Sequence, residues 1–129
     1  MAHPNEELLR KGFEAFGKGD LDTVQSLFAD DIVWHVGGNN QLSGDYKGVG
    51  EVMGWLGKNA ELTGGTLRVE PHDILANDEH VVALITVSAQ RDGKSLSDNA
   101  AQVHHVAGGK VTEVWLHSGD QQAVDEFWS

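Results

Sequence analysis

Two Val-rich runs flank a Gly108-Gly109 pair, and this arrangement constrains the chain more than any other stretch. The first run is Ser95-Leu-Ser-Asp-Asn-Ala-Ala-Gln-Val-His-His-Val106. The second is Lys110-Val-Thr-Glu-Val-Trp-Leu-His-Ser118. A Gly-Gly pair between such runs supplies the left-handed conformations of a tight β-hairpin. Side chains alternate faces along a strand, so His104 and His105 must point opposite ways. Val114, Leu116 and Ser118 share one face of the second strand; Glu113, Trp115 and His117 share the other. One side of the hairpin therefore lines something, and the other packs on something else.

The chain before this hairpin reads as helices followed by strands. Glu6-Glu7 sit at a helix start, where acids favour the dipole. Leu8, Leu9, Phe13 and Phe16 then recur at helical spacing as far as Gly17. Asp20 suits an N-cap for a second helix, with Leu21, Val24, Leu27 and Phe28 on its core side and Asp30-Asp31 as its stop. Ile32 to Val36 reads as a short strand. Gly37 to Gly50 reads as a long polar loop of the kind that borders sites. Val49, Val52, Met53 and Leu56 suggest a third helix to about Leu62. Strands are expected over Thr66 to Leu75, with Pro71 at an edge or bulge, and over His80 to Gln90. Asn77-Asp78 and Asp92-Gly93 are the turns between them and the hairpin. Asp120 is placed to cap a last helix carrying Ala123, Val124, Phe127 and Trp128.

This order predicts an α+β domain spanning residues 1–129. In it a strongly curved antiparallel sheet wraps around the N-terminal helices as a cone with a hollow. Such hollows hold small, mostly apolar molecules. With 20 acidic residues against 9 Lys and Arg, the formal charge is -11. That argues against nucleic acid and against an anionic membrane surface. The chain has no cysteine, hence no thiol nucleophile and no Cys-based zinc site. No run is long enough to span a bilayer, and a cytoplasmic location is expected.

Several segments resemble the SnoaL-like branch of the nuclear transport factor 2-like superfamily. They are Gly19-Asp20-Leu21, Phe28-Ala29-Asp30-Asp31, Gly44-Asp45-Tyr46-Lys47-Gly48, Gly109 to Trp115 and Asp120 to Trp128. The resemblance implies the cone fold, also described as a cystatin-like α+β barrel. The fold hosts isomerases, cyclases, hydrolases and adaptors, so it does not name an activity. The aspartate base of ketosteroid isomerases, a handful of residues along the first strand, falls at Val36 with His35 beside it; the oxyanion pair falls at Gly12 and Gln102. The cyclase His-Trp-Asp triplet reads Val114-Trp115-Leu116. The Asp-Arg-Asp set of limonene-epoxide hydrolases has no suitable arginine among Arg10, Arg68 and Arg91. None of these catalytic sets is intact.

The same register puts His104 on the cavity face with Gln102. Together with Asp120, which follows the last strand, they are the candidate acid/base set, and isomerisation, cyclisation or hydration would suit such groups. Trp34, Val36, Trp55, Val114 and Leu116 are the candidate binding wall. Each has a plainer reading: a buried histidine with one hydrogen bond, a helix cap, packed tryptophans. A one-residue slip would exchange His104 with His105. The expected ligand is a small apolar organic molecule, with no cofactor or metal. A site from His105, His117 and Glu113 matches no ligand spacing. His105, Trp115 and His117 on the outer face suit a homodimer interface. The alternative to an enzyme is a non-catalytic binding or dimeric interaction protein of the same fold.

Overall fold

The computed structural model describes residues 2–129. Helices α1 (Pro4–Gly17) and α2 (Leu21–Ser26) precede β1 (Phe28–Val36) and β2 (Gly44–Lys47). Helix α3 (Val49–Leu62) follows, then β3 (Arg68–Ala76), β4 (His80–Arg91), β5 (Lys94–Ala107), β6 (Lys110–Ser118) and α4 (Gln121–Phe127). The six strands form one curved sheet in the order β2-β1-β6-β5-β4-β3. Strands β3 to β6 pair antiparallel throughout, as the turn signals predict. The one parallel pair joins β1 to β6.

The turns follow from local chemistry. Asp92 and Gly93 have φ of 49° and 77°, and Gly108 and Gly109 have 58° and 75°. Two successive positive φ values are the twist-matched geometry that closes a two-residue hairpin. Asp20 and Asp120 both cap as expected, accepting from Thr23 N and Ala123 N. Pro71 cannot donate to the ladder, and the β3–β4 register shifts between Pro71 and Asp73.

Three expectations are corrected. Helix α2 ends at Ser26, so Phe28 opens a strand instead of closing a helix face. Asp30 and Asp31 lie within β1 and do not stop the chain; they occupy its first, irregular part, where the pairing with β6 shifts register between Phe28 and Val33. The polar loop after Val36 contains β2, whose Tyr46 pairs with Trp34.

Pairing sets side chains in rows across the concave face. One row is Trp34, Val114, His104 and Val81; the next is Val36, Leu116, Gln102 and Ala83. All four helices contribute side chains to the space over these rows. Ile32, Val52, Val81, Ala83 and Val114 are fully buried there. The convex face carries Val82, Leu84, Val103 and Trp115, which stay half-exposed. Among the described residues no helix is long and apolar enough to cross a membrane.

Candidate functional site

The concave face and the helices enclose a cavity of about 130 Å³. Its wall is mostly apolar: Leu9, Phe13 and Phe16 from α1, Leu56 from α3, and Ile85 and Val87 from β4. Volume and lining resemble the roughly 150 Å³ engineered void that accepts benzene. Into this wall are set the polar groups of His104, Gln102, Asp98, Asn40, Asn59 and Gln121. No Lys or Arg lines it.

His104 is 1% exposed. Its Nδ1 lies 3.3 Å from the Val81 carbonyl and its Nε2 3.1 Å from the Gln102 side-chain oxygen. Burial pushes its pKa down to about 4, a shift the Val81 carbonyl only partly opposes. The imidazole is therefore neutral at pH 7 and carries one N–H. That N–H donates to the Val81 carbonyl from Nδ1 or to the Gln102 oxygen from Nε2, according to the tautomer.

Trp34 and Trp55 form the adjoining wall, with ring centroids 5.5 Å apart. The Trp55 indole donates to the Leu42 carbonyl at 3.1 Å. Trp34 packs edge-on against Phe28 at 5.8 Å, and its buried Nε1 has no acceptor in the protein. A buried donor left so costs about 1–3 kcal/mol.

Asp98 shares the inward parity of Gln102 and His104 and is 5% exposed. Its carboxylate accepts from the backbone N–H groups of Gly119 and Asp120, at 3.3 and 3.0 Å. This fixes the corner from which α4 starts. The other end of α4 is held by Arg91, which donates to the Phe127 and Ser129 carbonyls, and by Lys94, which donates to the Glu126 carbonyl. Asp125 accepts from Asn39, Asn40 and Gln121; the side-chain bond from Asn40 chiefly lowers its pKa. Helix α4 thus closes the cavity with Gln121, Val124 and Trp128.

His104, Gln102, Trp34, Val36, Trp55 and Leu116 all line the cavity. Val114 lies buried beneath them in the row between Trp34 and His104. Asp120 does not join them. It is exposed and its carboxylate caps α4. The acid that does line the cavity is Asp98. Its parity with Gln102 and His104 on β5 was the signal in the sequence that could have found it.

The convex face holds a second polar cluster. His35 Nδ1 and Nε2 each lie 2.7 Å from a carboxylate oxygen, of Asp45 and Glu113. The bond to Glu113 first, and that to Asp45 next, raise the His35 pKa. The ring stacks on Trp115 at 5.2 Å; Trp115 meets His105 at 4.8 Å, and His105 meets His80 at 4.8 Å. His117 is exposed beside them. Among the described residues no His, Asp and Glu group has metal-binding geometry.

The chain is 36% identical over 124 residues to an uncharacterised protein of Mycobacterium tuberculosis H37Rv, covering 95% of each chain. Its fold is similar to that of Bal32a, from a soil-derived mobile gene cassette: 32% identity, 98% and 97% of the two chains covered, TM-score 0.95. TerC, co-crystallised with polyporic acid, shares the fold at 20% identity, with 97% and 98% covered and a TM-score of 0.85. The SnoaL-like domain model matches residues 9–114. With that match extending from α1 into β6, and with the cone closed over a largely apolar cavity, the chain belongs to the SnoaL-like domain family of nuclear transport factor 2-like folds.

Proposed function

We propose that this chain binds a small, largely apolar organic molecule in the concave cavity, oriented by His104 and Gln102. The observation that carries this is the hydrogen bonding of His104. Its partners are an amide and a backbone carbonyl, not an acid. A general base or acid works best with a pKa near the operating pH. An imidazole held near 4 is a weak base and is not in its acidic imidazolium form at neutral pH. The acid/base isomerisation, cyclisation or hydration expected of these residues is thus the weaker reading. The co-crystallisation of TerC with polyporic acid is consistent with small-molecule binding on this fold.

The expected result is a thermal shift with neutral apolar compounds, since a ligand at 100 times its Kd stabilises by about 2.7 kcal/mol. Ala100→Leu, which fills the cavity, should abolish the shift and leave the fold intact. If no compound in a panel of neutral terpenoids, steroids, aromatics and polyketides raises Tm, the binding reading fails.

A second reading concerns the convex face. Trp115, His105, Val103, Val82 and Leu84 leave a half-exposed apolar surface across β4 to β6. Large aromatics in that setting suit a two-fold contact with a second copy, as the resemblance implies. Trp115→Glu should lower the sedimentation coefficient from dimer to monomer. Equal sedimentation of parent and variant as dimers would place the interface elsewhere.

A further inference from the structure

Asn59 breaks the apolar stripe of α3. The buried residues of that helix are Val52, Trp55, Leu56 and Asn59, so an amide stands where the spacing calls for another aliphatic side chain. Asparagine is a poor residue for a helix interior, and its buried amide carries a desolvation cost that leucine would not. Asn59 is 7% exposed and lines the cavity.

The two ends of this amide differ. Nδ2 donates to the Trp55 carbonyl at 2.8 Å. A carbonyl only accepts, so this bond fixes which end is nitrogen. Oδ1 accepts from no group among the described residues; Thr63, one turn on, donates to the Asn59 backbone carbonyl instead. Nor is Oδ1 sealed off. Among the described residues, the buried side-chain N and O atoms that lack both a partner and accessible surface are Trp34 Nε1 and Arg91 Nε. An unpartnered Oδ1 outside that pair keeps accessible surface, and on the inward stripe of α3 that surface opens on the cavity.

The complement of an open acceptor is a hydrogen-bond donor, and charge decides which. An ammonium would lose its water against a neutral amide, and an anion would find no Lys or Arg in the wall. The acid of the wall, Asp98, already accepts from two backbone N–H groups at the α4 corner. Resting on the binding reading above, we infer that the ligand is a neutral one-ring hydroxyl compound whose O–H donates to Asn59 Oδ1. A phenol or a cyclic alcohol has this chemistry, and one ring suits a cavity of about 130 Å³. Asn59 then sets specificity, selecting a hydroxyl over a methyl group of the same size.

The probes are phenol, toluene and benzylamine, titrated by NMR into the full chain and into Asn59→Leu. Leucine continues the stripe, so the variant should fold with a Tm no lower than the parent's. From parent to variant, phenol should lose about tenfold in affinity relative to toluene, the worth of one well-made hydrogen bond. In the parent, the Asn59 side-chain carbonyl ¹³C signal should move downfield with phenol and not with toluene. Benzylamine, a cation at neutral pH, should not bind. A phenol-to-toluene ratio equal in parent and variant would overturn the role of Asn59 while leaving cavity binding intact. Were the variant not to fold, a ¹³C signal that moves alike with phenol and toluene in the parent would overturn it as well. Benzylamine binding more tightly than phenol, and lost in Asp98→Asn, would move recognition to Asp98. Thermal shifts confined to multi-ring compounds would overturn the one-ring size. No binding of any compound would sink the binding reading itself.

Discussion

Acidification from pH 7 to 4 should remove about 3 kcal/mol of folding stability through His104 alone. In the unfolded chain its imidazole protonates near 6.5, and in the fold only near 4. Below 6.5 the unfolded state therefore binds more protons than the native state. The contribution is fully present above pH 6.5 and is lost progressively toward 4. The span of pKa values, at about 1.4 kcal/mol per unit, sets the size. His35 works in the opposite sense. Its raised pKa gives stability that is fully present below 6.5 and lost as pH rises through the folded value. The whole-protein curve mixes both, so the measurement is a comparison. His104→Leu keeps a side chain of similar bulk and removes the titration. Urea unfolding of parent and variant should show the parent losing about 3 kcal/mol relative to the variant as pH falls from 7 to 4. Parallel curves would mean that His104 protonates without penalty and is not shut inside the cone.

Gly119→Ala should destabilise the protein by about 3 kcal/mol, the upper end of what overpacking costs. A Cβ there would meet the Asn99 backbone oxygen at 2.2 Å, and backbone has little freedom to retreat. The same residue donates its N–H to Asp98, so displacement also loosens the corner that starts α4. For a chain of this length the loss is roughly a ten-degree fall in Tm. Gly57→Ala is the contrasting control. Gly57 lies inside α3 with open space at its Cβ, and alanine there should stabilise by about 0.5–1 kcal/mol. A Gly119→Ala protein as stable as the parent would show that the β6–α4 corner yields freely.

The legible parts of the fold were those written in local chemistry. Asp92-Gly93 and Gly108-Gly109 marked the hairpins because few other residues accept positive φ. Parity put Gln102 and His104 on one face of β5, and the family register made that face the inward one. Strand β2 was not legible. Gly44 and Asp45 disfavour strands, and its four residues are held by pairing with β1, which no local pattern announces. Phe28 misled because it falls four residues after Val24, a helical spacing that tertiary pairing with Val111 overrides. The exchange of roles between Asp98 and Asp120 has a similar cause. Asp120 bears the local signature of a cap, whereas the value of Asp98 lies in backbone N–H groups that only folding brings to it.

The parallel pairing of β1 with β6 bears on how the protein is made. Apart from β2, β1 has no strand partner until the last strand has been synthesised. Trp34 and Ile32 can be packed by α3 beforehand, but the row that joins Trp34 to His104 runs through Val114. On the ribosome, therefore, the N-terminal half waits with an open strand edge while the β3–β5 meander forms from nearer contacts. The cavity is complete only once β6 has paired with both β1 and β5. Chains truncated before Val111 should keep their hairpin and expose β1, and so be prone to association through that edge.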